Sequence, residues 1–162
     1  MTKLVFHGPA IVLGDHVDVE RLHPASYFSL NPERVKEGLF MGMSPEMREH
    51  LQPGSIILAG RNFGCGSSRE VVVQAFLLNG IEAIVAESFA RIFFRSGINN
   101  GLALIECPNT AELAVNGDEI EVDVVSGRIS NLTQGTTKML PEPDPFFLTL
   151  LERTRSKRES TR

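Results

Sequence analysis

A chain of 162 residues with 42% hydrophobic content and a net charge of -4 has room for one domain with a full core. The acidic balance argues against a nucleic-acid role built on phosphate neutralisation, and no apolar run reaches membrane-spanning length. The two cysteines, Cys65 and Cys107, lie far apart with no Cys-x-x-Cys pair, so they can ligate neither zinc nor an iron-sulfur cluster alone. Met1-Thr2-Lys3 leads straight into a strand-like run and nothing signals secretion, which sets the expectation of two free thiols in a cytoplasmic protein.

In chain order, residues 3–13 are rich in Leu, Val and Ile and are interrupted by Gly8-Pro9, which predicts two short strands or one kinked strand. The turn Gly14-Asp15-His16-Val17-Asp18-Val19-Glu20 carries three acids, a solvated loop unless it approaches a site. Between residues 27 and 53 the pattern is irregular. Short helices are expected at 32–37 and 45–51, each led by a proline, while Phe40, Met41, Met43 and Met47 fit no clean helical face. Such a segment serves either as a functional loop or as packing on the core.

The chemistry-bearing stretch comes next. An apolar run at 56–59 stops at Gly60-Arg61-Asn62-Phe63-Gly64-Cys65-Gly66-Ser67-Ser68-Arg69-Glu70, where three glycines precede a helical pattern. Glycines let the backbone approach a ligand closely, and Ser67-x-x-Glu70 reads as a capping box that opens a helix at Ser67. Free N–H groups at such a start attract carboxylates and phosphates, and Ser67, Ser68 and Arg69 add two hydroxyls and a planar guanidinium fork. A dinucleotide fingerprint fails because its third glycine would fall on Arg69. A phosphate loop fails because no Gly-Lys-Ser/Thr follows.

Beyond it, a helix over 71–78 is closed by Asn79-Gly80, a strand spans 81–86, Ser88 caps a second helix to about residue 98, and a strand covers 102–105. That alternation implies right-handed crossovers and parallel pairing. Residues 119–124 and 128–132 flank Ser126-Gly127 as a hairpin, and three prolines lead into a last helix from Phe146 to about Glu152. Residues 152–162 hold five basic and two acidic side chains and read as a disordered, solvated tail beyond a single domain at 1–151.

Three motifs in order, the stretch at 60–70, Ala86-Glu87-Ser88-Phe89-Ala90-Arg91-Ile92-Phe93 and Ile98-Asn99-Asn100-Gly101-Leu102, resemble the small subunit of 3-isopropylmalate dehydratase, and the likeness runs over nearly the whole chain. The resemblance implies an α/β fold, the three-layer β/β/α swivelling domain of the aconitase superfamily with a partly parallel central sheet. It implies a hydro-lyase subunit interconverting 2- and 3-isopropylmalate for leucine biosynthesis, active only with a large subunit that holds a [4Fe-4S] cluster, and no cofactor or metal on this chain. By the same resemblance Ser67 is the catalytic base. Arg69 grips a substrate carboxylate with Ser68 beside it, Tyr27, Phe28, Ser29 and Leu30 form the specificity loop, and Asp18 and Glu20 are supporting acids.

The sequence departs from the family pattern in three places. Asp18-Val19-Glu20 stands for Asp-Thr-Asp, Val71 for a histidine, and Tyr27-Phe28-Ser29-Leu30 for Tyr-Leu-Arg-Thr, which removes an arginine. The alternatives are a homoaconitase or other substituted-malate dehydratase subunit, or a non-catalytic anion-binding assembly domain.

Overall fold

A seven-stranded mixed sheet organises the chain, and its first strand joins two halves of different style. The structure, a computed structural model, describes residues 4–67 and 70–161. Strand β1 (Val5–Val12) is continuous through Gly8-Pro9. Its first five residues pair antiparallel with a strand at 119–123, and its last three, Ala10 to Val12, pair parallel with a strand at 56–59. Pro9 has no N–H to donate, and it sits where the strand changes neighbours.

Short helices follow: α1 (Val19–Leu22), which the sequence did not announce, then α2 (Pro32–Glu37) and α3 (Pro45–Glu49), both with proline in the first turn as expected. The parallel half is β2 (Ile56–Ala59), α4 (Glu70–Leu78), β3 (Ala83–Ala86), α5 (Arg91–Asn99) and β4 (Ala103–Glu106). Every residue of β2 and β3 is buried, as parallel strands covered on both faces require. A phenylalanine cluster seals the helices onto the sheet: Phe63 lies 5.4 Å from Phe93 and 6.3 Å from Phe76, ring centre to ring centre. Ser88 does not cap α5, whose N-cap is Ala90 with no side-chain bond.

The antiparallel half is a meander of β5 (Glu119–Asp123), β6 (Arg128–Asn131) and β7 (Thr136–Met139), giving the order β4-β3-β2-β1-β5-β6-β7. β5 alternates buried and half-buried residues, the mark of a sheet with one wetter face. The turn before it is fixed by Asp118, whose Oδ2 accepts from Asn131 (2.9 Å), Val115 N–H (3.1 Å) and Gln134 (2.8 Å). Those donors, Asn131 first, hold its carboxyl below the usual range.

The final helix corrects an expectation. α6 runs Pro145–Ser160, so the segment read as a disordered tail from 152 is helical to Ser160. The reason is packing: Leu151 and Arg155 are buried, and Thr154 Oγ1 donates to the Ile98 carbonyl (2.8 Å). The two thiols are free. Cys107 is buried, and burial pushes its thiol up, which disfavours the thiolate; Cys65 is half-buried.

Candidate active site

The loop leaving β2 is held between two other segments by backbone bonds. On one side is the acidic turn. His16 N–H donates to the Arg61 carbonyl (2.7 Å), Gly64 N–H to Val17 (2.9 Å), and Val19 N–H to Cys65 (2.9 Å). On the other side is the entry to α5, where Phe63 N–H donates to Ser88 (3.0 Å) and Ala90 N–H to Phe63 (2.9 Å). The Ser88 hydroxyl, free of any capping duty, accepts from Asn62 N–H at 2.8 Å. Phe63, fully buried between these bonds, pins the loop to the core.

Two glycines are there for space. A side chain on Gly60 would collide with the Asp15 carboxylate, and one on Gly64, whose φ is +82°, would enter the buried ring of Phe93. The loop also carries backbone tension. His16 and Asn62 both have left-handed φ values, 54° and 55°, and their side chains meet at 3.3 Å. Non-glycine residues in that region gather at functional sites, because the surroundings must hold them there.

The acids of the turn do approach the loop, and each has a structural partner. Asp15 Oδ1 accepts from Arg61 N–H (2.7 Å) and its other oxygen lies 3.8 Å from the Arg61 guanidinium. Asp18 is paired alongside Cys65 and caps α1 by accepting from Arg21 N–H (2.8 Å). Glu20 reaches the other way and accepts from Ala25 N–H (3.2 Å), fixing the short 3-10 turn that leads to residues 27–30. Asp15, Asn62 and Ser88 help build the site, a role the sequence reading gave to none of them: Asp15 stood only as one acid of the turn, Asn62 only inside the motif and Ser88 as a helix cap. Three acids in one turn were the available signal for Asp15, and for Ser88 the signal was its place in the motif at 86–93, which did not show that its hydroxyl meets Asn62.

Ser67 ends the loop and is exposed. Ser68 and Arg69 lie outside the described residues, as does the middle of the Ser67-to-Glu70 capping box. The expected specificity loop joins the site indirectly, through α1. His23 is buried, stacks on Phe28 (5.5 Å) and meets Tyr27 edge-on (6.3 Å). Ser29 Oγ accepts from Asn31 N–H (3.0 Å), and Leu30 is wholly exposed. A cation stands behind this loop: the Arg34 guanidinium lies 4.0 Å over the Tyr27 ring and donates to the Ser26 carbonyl (3.1 Å). Among the described residues no group of three or more His, Cys, Asp or Glu is placed to hold a metal, and no helix is long and apolar enough to cross a membrane.

The loop of glycines and serine lies at the carboxyl ends of the parallel strands, and the aconitase C-terminal domain family matches residues 32–110, a span that includes it. An "isopropylmalate/citramalate isomerase small subunit" from Methanocaldococcus jannaschii is 41% identical over 93% of this chain and 90% of its own length. A "3-isopropylmalate dehydratase small subunit" from Thermodesulfovibrio yellowstonii is 41% identical over 86% of the chain and 83% of its own. A crystal structure of 3-isopropylmalate dehydratase from Methanocaldococcus jannaschii superposes with a TM-score of 0.82 at 32% identity, covering 97% of this chain and 98% of that one. The chain belongs to the 3-isopropylmalate dehydratase small-subunit family.

Proposed function

We propose that this chain is the small subunit of a cytoplasmic, heteromeric hydro-lyase that interconverts 2-isopropylmalate and 3-isopropylmalate by loss and return of water, a step of leucine biosynthesis. The observation that carries the reading is the exposed Ser67 at the end of a loop whose residues 61–65 are anchored on both sides by backbone bonds. The reaction removes a weakly acidic proton from a carbon beside a carboxylate, so it needs a strong base. Serine fills that role only as an alkoxide, which a cationic neighbour and unpaired N–H groups at a helix start would favour. In this proposal Ser67 takes the proton and returns it at the neighbouring carbon. Arg69 and Ser68 hold a substrate carboxylate, and Tyr27, Phe28, Ser29 and Leu30 face the alkyl substituent. Asp18 and Glu20 set the loop geometry through their backbone partners.

The departing hydroxyl needs a Lewis acid. The sequence has only two cysteines, and among the described residues no group of three or more His, Cys, Asp or Glu is placed to hold a metal, so the proposal assigns the iron-sulfur cluster to the larger partner. A second reading, an alkylmalate with methyl in place of isopropyl, is favoured by the name of the Methanocaldococcus jannaschii relative, which covers both. The test is co-expression with the large subunit from the same organism and assay of 2-isopropylmalate. Turnover is expected from the complex and none from this chain alone. Turnover by the isolated chain, free of iron and of a second protein, would overturn the proposal.

A further inference from the structure

His23 is fully buried at a place where an apolar side chain would bring no polar group to satisfy. A buried imidazole needs a partner for its N–H, and this one has it: Nε2 lies 2.9 Å from the carbonyl of Val35, in the last turn of α2. A carbonyl only accepts, so Nε2 carries a proton. That bond fixes the plane of the ring. The Phe28 ring stacks on it at 5.5 Å with 16° between planes, and the Tyr27 ring meets it edge-on at 6.3 Å. Gly38 completes the seat, because a side chain there would run into both His23 Nε2 and Tyr27 Cβ. Leucine would fill much of the same space but would lack the bond that sets the orientation.

The same residue closes α1. Its backbone N–H donates to the Val19 carbonyl (2.8 Å), and Val19 N–H donates in turn to the carbonyl of Cys65 (2.9 Å), two residues before Ser67. The segment after α2 backs this helix. Phe40, buried and left-handed at φ 65°, donates its N–H to the Leu22 carbonyl (2.7 Å), and a side chain on Gly42 would meet the Arg21 backbone. So α1 reaches from the loop at 60–67 to the loop at 27–30, and His23 is the joint at the second end.

We infer that His23 is a positioning residue for substrate selection, setting where Tyr27 and Phe28 stand relative to Ser67. The inference rests on the reading that residues 27–30 face the alkyl substituent. A wall for that substituent must sit at contact distance, since a gap of about 0.5–1 Å forfeits about a quarter to a half of the contact energy. A displaced wall therefore weakens the hold on an isopropyl group more than on a methyl group. The test assays the complex with the large subunit on 2-isopropylmalate and on malate with a methyl substituent, for the unmodified chain, His23→Leu, His23→Gln, Gly38→Ala and Phe28→Ala. His23→Leu and Gly38→Ala are expected to lower the isopropyl-to-methyl ratio of kcat/KM at least about fivefold, through KM, with kcat on both acids changed by less than about twofold. His23→Gln keeps an N–H donor of similar reach and is expected to recover part of the ratio. Gly38→Ala displaces the imidazole without removing it, which keeps the test open if His23→Leu does not fold. A purely structural His23 would lower the melting temperature and the yield of complex but leave the ratio and KM unchanged, and that result would overturn the inference. Phe28→Ala tests the reading beneath it. A ratio altered by Phe28→Ala but by neither the His23 variants nor Gly38→Ala would overturn the inference alone. A ratio that none of the variants alters would overturn the role of residues 27–30 as well.

Discussion

The two ends of the parallel strands are finished in opposite ways. At the carboxyl ends, beyond Ala59 and Ala86, three chain segments are laced mostly by backbone N–H and carbonyl groups, with the Asp15 carboxylate and the Ser88 hydroxyl as added acceptors, and Arg61 and Ser67 are exposed. At the amino ends, near Ile56 and Ala83, side chains from α6 close the gap, Arg155 and Arg158 both reaching Glu82. Arg155 is 5% exposed, donates 2.6 Å to Glu82 and 3.1 Å to the Gly101 carbonyl, and lies 4.8 Å over the Phe6 ring. The difference teaches a division of labour. Where backbone does the holding, side chains remain available to a ligand, and open α/β sheets place ligands at that end. Where a side chain does the holding, the end is committed to stability.

The largest effect that could break this comparison is at the open end. Ser67→Ala in the assembled enzyme is expected to lower turnover by about 10³-fold, the scale of losing a positioned base, while costing no more than about 1 kcal/mol of stability. Turnover and melting temperature measured on the same preparation check it. A variant that keeps most activity would reduce the loop to a capped turn.

The closed end should respond in the reverse sense. Arg155→Met removes a buried charge from its partners, a change that costs several kcal/mol when the remaining charge is fully buried. Glu82 keeps 34% side-chain exposure and the Arg158 guanidinium at 3.5 Å, so the expected loss is nearer about 2 kcal/mol. Thermal unfolding should shift down by about 6 °C, with turnover per folded complex unchanged. A variant that melts normally but turns over slowly would mean the two ends are coupled.

That asymmetry also governs what the sequence revealed. The parallel half was legible because each element has a local signal: all-apolar four-residue strands, the Asn79-Gly80 stop and the Asn99-Asn100-Gly101 stop. The family motifs pointed to the loop at 60–67 before its anchors were visible. What stayed hidden depends on distant partners. Arg155 reads as one more basic residue in a tail until Glu82, 73 positions earlier, is placed beside it. Ser88 reads as a helix cap until Asn62 takes its hydroxyl. β7 presents Thr136, Thr137 and Met139 to solvent, so an edge strand of that kind lacks the alternation that would announce it. The four-residue α1 is too short to show a period.

The smallest effect expected concerns the loop at 27–30. Isopropylmalate carries a branched apolar group where homoaconitate carries a longer arm ending in a third carboxylate. A site therefore buries hydrocarbon or pairs a charge. Phe28 is held against the buried His23 ring and Leu30 is free to cover an apolar group, while the Ser29 hydroxyl is engaged by Asn31 N–H. Burying two or three methyl groups is worth about 2 kcal/mol, and desolvating a carboxylate without a partner costs more than that. The reconstituted enzyme should prefer isopropylmalate over homoaconitate by about tenfold in kcat/KM, or about 1.4 kcal/mol, and Ser29→Arg should narrow the gap. Side-by-side assay of both acids decides it. Equal rates in the unmodified enzyme would mean that a cation reaches the substituent, and one that stands at this loop is Arg34, held by the Tyr27 ring and the Ser26 carbonyl. Arg34→Gln would then restore the preference if that cation is Arg34, and leave the rates equal if it comes from the large subunit.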